Sequence, residues 1–296
     1  MRDDPRVRIF CFQRLQNLDR DAVRNEPFTL SRNLIMKKTL VAAAAALIAG
    51  FSTAALAGTP LSVAATPVPH ADILKLVSAD LKAAGYDLRI IEFSDYVSPN
   101  LALDAGEVDA NYYQHLPFLN ASVEARKLKV VPVKPIHILP MAAYSKRVKN
   151  LKDLKKGAQV TIPNDPSNGG RALLLLEDAG LIKLKKNVGV KATVLDIVSN
   201  PKRLRIREVE AAQVPRTLDD VDLAVVNSNY AIGVGLNPVK DSIFLESKTS
   251  PYAVVVATRP GHEADAKVQA LVKALTSDKV RKFMIDQYKG SVVPVF

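Results

Sequence analysis

From residue 58 onward, short apolar runs alternate with segments whose apolar residues recur at helical spacing. Leu61–Ala65 reads as a strand leading into TPVPH. Ile73, Leu74, Val77 and Leu81 then share one face of a predicted helix stopped by Gly85. Leu88–Phe93 is a second strand, after which Ser98-Pro99 supplies an N-cap and a first helical position, and Gly106 closes that short helix. Val108–Tyr113 is a third strand, followed by a helix after Pro117 and a strand at Lys129–Val133. The order βαβαβαβ predicts a mostly parallel sheet covered by helices.

The alternation then restarts. Met141–Ser145 is strand-like, LKDLKKG reads as a short helix, and Ala158–Ile162 is a strand feeding the loop PNDPSNGGR. A helix from about Gly169 ends at Gly180. Strands follow at Ala192–Val198, Leu204–Glu210 and Asp222–Val226, the last running into NSNYA. Tyr252–Thr258 is one more, and two helices within Ala264–Tyr288 complete the pattern. Two α/β units joined without a flexible linker predict two lobes with a cleft between them. In open α/β sheets, ligands sit beyond the carboxyl ends of strands. DYVSPN, YYQHLP, PNDPSNGGR and NSNYA all fall there.

The segment before this pattern has a different grammar. MKKTLVAAAAALIAGFSTAALAG, Met36 to Gly58, begins with two lysines, continues as a short apolar run and ends in Ala55-Leu56-Ala57. Those are the parts of a secretory signal in order, and the run is shorter than the roughly 20 residues of a membrane span. Residues 36–57 are therefore expected to be a signal peptide cleaved after Ala57. Met36 is then the expected start, and residues 1–35 a mis-assigned extension, with a genuine extension as the alternative.

Charge changes this picture little. Of 41 basic and 30 acidic residues, nine and five lie within residues 1–57, so the remainder keeps a basic surplus of seven. Its lysines and arginines are scattered, as in KRVKNLKDLKK and PKRLRIR, without interleaved aromatics. This is read as a solvated basic face and not as a nucleic-acid surface. The only cysteine is Cys11, which leaves no disulfide within the chain and no cysteine-based metal site.

No G-K-[ST] ends the glycine-containing loop, and no G-x-G-x-x-G follows a strand. G-x-S-x-G and H-E-x-x-H are missing too, and no nucleophile–base pair is visible. His70, His115 and His137 could meet as metal ligands, although nothing in their spacing favours it, and His262 beside a Pro-Gly turn reads as a surface residue.

What remains is recognition chemistry. Arg171, read as lying in the first turn of its helix, can form a bidentate pair with a carboxylate where the helix dipole already favours negative charge. A salt bridge to Asp165 is the plainer alternative. Tyr112 and Tyr113 point to opposite faces of their strand, so one belongs to the core and the other can line the cleft with His115. A structural hydrogen bond is the plainer role for His115, and capping of the next helix the plainer role for Asn227 and Asn229. An exported, two-lobed α/β chain, cysteine-free once the expected signal peptide and extension are removed, with an anion-ready helix end points to a solute-binding protein, not an enzyme.

At these residues the sequence resembles the methionine-binding, NlpA-type substrate-binding proteins of bacterial ABC importers. The resemblance runs in order through DYVSPNLAL, GEVDANYYQHLPFL, PNDPSNGGRALLLLEDAGLIKL, TVLDIVSNPKRLRIREVEAAQVPR and AVVNSNYA, and covers residues 60–296. It implies a type II periplasmic-binding fold, with lobe 1 in residues 58–134 plus 248–296 and lobe 2 in residues 135–247. It also implies a monomer without cofactor that closes on one amino acid, methionine above all, and delivers it to an inner-membrane permease and its ATPase.

By the same resemblance Tyr96, Tyr113, His115, Arg171 and Asn227 line the pocket, the aromatics around a thioether and Arg171 on the α-carboxylate. Asn168, Asn229 and Val254 are further candidates, and the family usually has Phe where Tyr113 stands. Two departures stand out. The family's lipid-bearing cysteine is absent, since Gly58 follows Ala57, which implies a soluble periplasmic protein. The family's SPY-x-N becomes SPYAV, so Val254 replaces an asparagine that helps hold the amino acid. Such a loss costs about 1–3 kcal/mol, which leaves open weaker methionine binding, a substitute group, or a changed ligand such as another amino acid or a short peptide.

Overall fold

The computed structural model describes residues 58–247 and 251–296. The expected signal peptide, residues 36–57, and the expected extension before it lie outside these residues. Among the described residues no helix is long and apolar enough to cross a membrane.

Strands β1 (Thr59–Ala65), β2 (Tyr86–Glu92) and β3 (Ala110–His115) form the parallel part of the first sheet, with β1 in the middle. The expected helical face is the buried one: Ile73, Leu74, Val77 and Leu81 of α1 (Asp72–Ala83) pack into the core of this lobe. Gly85, Gly106 and Gly180 all have positive φ, as helix-terminating glycines do. Helix α2 (Ser98–Asp104) starts at Ser98 itself. Its entry is held by Asp95, whose carboxylate accepts from the N–H groups of Val97 and Ser98, so Asp95 takes the role expected of Ser98.

The parallel reading fails at the fourth strand. With β13 (Val293–Pro294) at one edge, the sheet order is β13-β4-β12-β3-β1-β2, so β12 (Ala253–Thr258) lies between β3 and β4 (Val131–Ile138), antiparallel to both. β12 is a nearly continuous apolar run, AVVVAT, buried through five of its six residues, as befits a central strand covered on both faces. Its partners lie more than a hundred residues away in sequence, which local periodicity cannot report. β4 stays in this sheet to Ile138, so the expected lobe boundary at 134/135 falls inside a strand.

The second sheet has the order β11-β5-β10-β6-β9. It is parallel among β10 (Leu223–Val226), β6 (Gln159–Pro163) and β9 (Arg205–Val209), and antiparallel at β5 (Ala142–Tyr144) and β11 (Phe244–Leu245). The chain thus crosses between sheets twice, at residues 139–141 and again between β11 and β12. LKDLKKG yields only a single turn at Leu151–Asp153. Most of the strand expected at Ala192–Val198 is turn, with only Ile197–Ser199 extended. Asp196 draws in both the N–H and the hydroxyl of Thr193, and those local bonds compete with strand pairing.

After α3 (Leu116–Arg126), helix α4 (Pro166–Asp178) begins three residues before the expected Gly169. Asp165 is its N-cap, accepting from the N–H of Asn168 at 2.8 Å, and Pro166 takes the first position, where no N–H is needed. Its two glycines serve close packing. A Cβ on Gly170 would lie 2.3 Å from the Val190 carbonyl oxygen, and one on Gly169 3.0 Å from that of Pro163. Arg171 is consequently the sixth helical residue, in the second turn and not the first.

Candidate functional site

The carboxyl ends of β2, β3, β6 and β10 converge where the two lobes face each other. Their loops and helix starts line a narrow cavity. All eight residues expected from sequence line it: Tyr96, Tyr113, His115, Asn168, Arg171, Asn227, Asn229 and Val254.

Tyr112 and Tyr113 divide as the strand alternation requires. Tyr112 is fully buried in lobe 1, its hydroxyl 2.7 Å from His137 Nδ1, while Tyr113 faces the cavity and donates to the Tyr96 carbonyl at 2.9 Å. The floor below is stiffened by a buried amide network in which Asn100 and Gln114 bond reciprocally at 2.8 and 2.7 Å and Asn111 joins both.

His115 makes its plainer structural bond and also faces the cavity. Its Nδ1 accepts from the N–H of Phe118, which caps the next helix and places the ring proton on Nε2. Nε2 then donates across the cleft to Asn168 Oδ1 at 3.1 Å. Burial and the nearby Arg171 charge lower its pKa to about 3, so the ring is neutral.

Asn168 Oδ1 also accepts from Asn227 Nδ2 at 2.8 Å, while Asn168 Nδ2 donates to both oxygens of Asp165. Asn227 therefore bonds to a neighbouring amide instead of capping with its side chain, and its Oδ1 is left buried without a partner. Tyr96 donates to Asn229 Oδ1 at 2.5 Å and Tyr230 to the Ser94 carbonyl at 3.0 Å, so three hydrogen bonds latch one lobe to the other.

Arg171 is only 3% exposed and does not pair with Asp165. Its Nε donates to Glu246 Oε1 at 2.9 Å, and its Nη2 donates to Glu246 Oε2 at 2.5 Å and to the Leu139 carbonyl at 2.8 Å. Its guanidinium carbon lies 4.1 Å from the ring centroid of Tyr252.

Sequence reasoning missed Phe118, Tyr252 and Glu246. Phe118 and Tyr252 line the cavity, and with Tyr96, Tyr113 and His115 they form a cage of rings 5.0–6.2 Å apart. The capping turn after His115 could have pointed to Phe118. Val254 is 3% exposed and turns toward the cavity opposite His115 on β3, so the departure from the family asparagine falls at the site itself.

The three histidines considered as metal ligands do not converge. His70 and His137 lie together in the lobe 1 core, rings 5.3 Å apart, whereas His115 faces the cleft. No group of three or more His, Cys, Asp or Glu side chains suited to a metal occurs among the described residues.

The cavity can thus offer a guanidinium to an anion, an amide oxygen to a cation, and polarizable rings to an apolar side chain. Known proteins show which family the chain belongs to. The model of the NlpA lipoprotein family matches residues 61–296. The D-methionine-binding lipoprotein MetQ of Salmonella typhimurium is 47% identical over 211 residues, 71% of this chain and 78% of that protein. Outer membrane lipoprotein 3 of Mannheimia haemolytica is 44% identical over 207 residues, 70% of this chain and 79% of its own length. A nutrient binding protein from Burkholderia cenocepacia, solved bound to methionine, superposes with a TM-score of 0.78 at 48% identity, over 80% of this chain and all of that one. The α/β lobes are those of a periplasmic-binding fold, and the chain belongs to the NlpA lipoprotein family.

Proposed function

We propose that this protein is the substrate-binding component of an ABC importer, capturing a free amino acid, methionine first among them, and delivering it to an inner-membrane permease and its ATPase. The observation that carries this reading is the unpaired, buried Asn227 Oδ1 sharing one cavity with the Arg171 guanidinium and a ring cage. An α-amino acid has the matching three parts: an ammonium for the amide oxygen, a carboxylate for the guanidinium, and a side chain for the rings. A thioether suits such a cage because sulfur is polarizable and favours contacts with aromatic edges. The protein acts as a monomer, without catalysis or cofactor. With Gly58 after Ala57 and Cys11 the only cysteine, it is released soluble into the periplasm, unlike relatives that carry the name lipoprotein.

A thermal-shift panel of the L-amino acids and D-methionine, run on the exported protein, tests this. Ligand at about 100 times its Kd adds roughly 2.7 kcal/mol, which for a chain of this size raises Tm by about 5–10 °C. Methionine is expected to give the largest shift, and a panel in which no amino acid stabilises the protein removes the reading. Val254 favours one alternative, a changed ligand of the same class. If methionine is the ligand, Val254→Asn strengthens its binding, roughly 5- to 150-fold by the worth of one buried polar partner. A variant that binds methionine more weakly and another amino acid no better would count against both.

A further inference from the structure

We infer that Glu246 is the positioning residue of the site: it fixes the Arg171 guanidinium so that one amino group, Nη1, is left to receive the ligand carboxylate. The inference rests on the amino-acid-binding reading above.

An arginine has five N–H donors in a rigid plane. Here three are used by the protein: Nε and Nη2 on the two oxygens of Glu246, and Nη2 again on the Leu139 carbonyl. Nη1 donates to no described residue, while Arg171 itself lines the cavity. The fork of two bonds to one carboxylate fixes the plane of the group, and Tyr252 covers a face of it. Held this way, the guanidinium cannot turn its free edge from the pocket. The ordering is complete before ligand arrives, and that is where affinity is gained.

Glu246 is itself well placed to be rigid. Its side chain is only 10% exposed, and Oε2 also accepts from the N–H of Met141 at 3.1 Å. Met141 and Leu139 belong to the first crossing between the lobes, and Glu246 and Tyr252 to the second. Arg171, projecting from lobe 2, is thus bonded to both crossings, so the anion end of the pocket is built onto the segments about which the lobes must move.

The experiment compares methionine with methioninol, which replaces the carboxylate by a hydroxymethyl group, by calorimetric titration of the wild type and Glu246→Gln. A glutamine turns an N–H₂ group toward the guanidinium and cannot reproduce the fork. Methionine affinity is expected to fall about 10- to 100-fold and methioninol affinity less than about threefold, because a residue acting through Arg171 matters only when there is a carboxylate to receive. Glu246→Asp, which keeps the charge, is expected to recover part of the loss. This keeps the test open should Glu246→Gln fold poorly in thermal melts. Equal losses for the two ligands overturn the positioning role while leaving the amino-acid reading in place. A wild type that binds no amino acid overturns both.

Discussion

Arg171→Ala is expected to bind methionine at least about 30-fold more weakly than the wild type, and to melt at a lower temperature as well. The first loss follows from the carboxylate's charged partner. Truncating one side of a buried, hydrogen-bonded charge pair costs about 2–5 kcal/mol, and each 1.4 kcal/mol is tenfold. The second loss has a different origin. Glu246, 10% exposed, would keep its bond to Met141 but lose its cation. Leaving one member of a buried ion pair alone costs about 3–5 kcal/mol, equivalent to a fall of about 6–20 °C in Tm. The double variant Arg171→Ala/Glu246→Ala separates the two. It is expected to regain most of the melting temperature and none of the affinity. Titration calorimetry beside thermal melts reads both. If Arg171→Ala retains wild-type affinity, the guanidinium is a structural group bonded to Glu246 and Leu139, and the carboxylate must be held elsewhere.

The pairing that complicates this variant marks where sequence reasoning ends. Tyr96, His115, Arg171 and Asn227 could all be found because each lies at or beyond the carboxyl end of a strand, and strand ends are legible from alternation and turn residues. Tyr252 escaped that rule because it precedes the amino end of β12. Glu246 escaped it because nothing local distinguishes a glutamate after a two-residue strand. Its meaning comes from Arg171, 75 residues earlier. The same distance hid the insertion of β12 between β3 and β4. The double glycine was visible but ambiguous. It suggested the end of a loop and a helix start at about Gly169, whereas both glycines lie within the helix and the backbone of Val190 presses against Gly170. Arg171 was displaced by one turn as a result, without leaving the cavity.

Mild acid is expected to destabilise the fold more than any single substitution at the site. His70, His115 and His137 are all fully buried or nearly so, and burial lowers each pKa from the ordinary 6.5: to about 3 for His115 and His137, and well below it for His70, which His137 also disfavours. The native protein therefore keeps three neutral rings at a pH where the unfolded chain would bind three protons. Because the unfolded state holds more protons, stability rises with pH across this interval and is lost as pH falls below about 6.5 toward the depressed native values. Each histidine contributes about 1.4 kcal/mol per pH unit, so lowering pH from 7 to 5 removes about 6 kcal/mol in all. A whole domain is stable by only about 5–15 kcal/mol. Asp165 works in the opposite direction, since burial raises its pKa, but it is one group against three. Urea melts between pH 7 and 5 read the loss directly, and calorimetry in buffers of different ionisation enthalpy counts the protons. Unfolding at pH 5.5 is expected to take up about two to three. An uptake below one would mean that these imidazoles are already protonated in the native protein. Ligand binding itself should stay nearly flat over the same range, because His115 remains neutral and neither the carboxylate nor the ammonium of an amino acid titrates there.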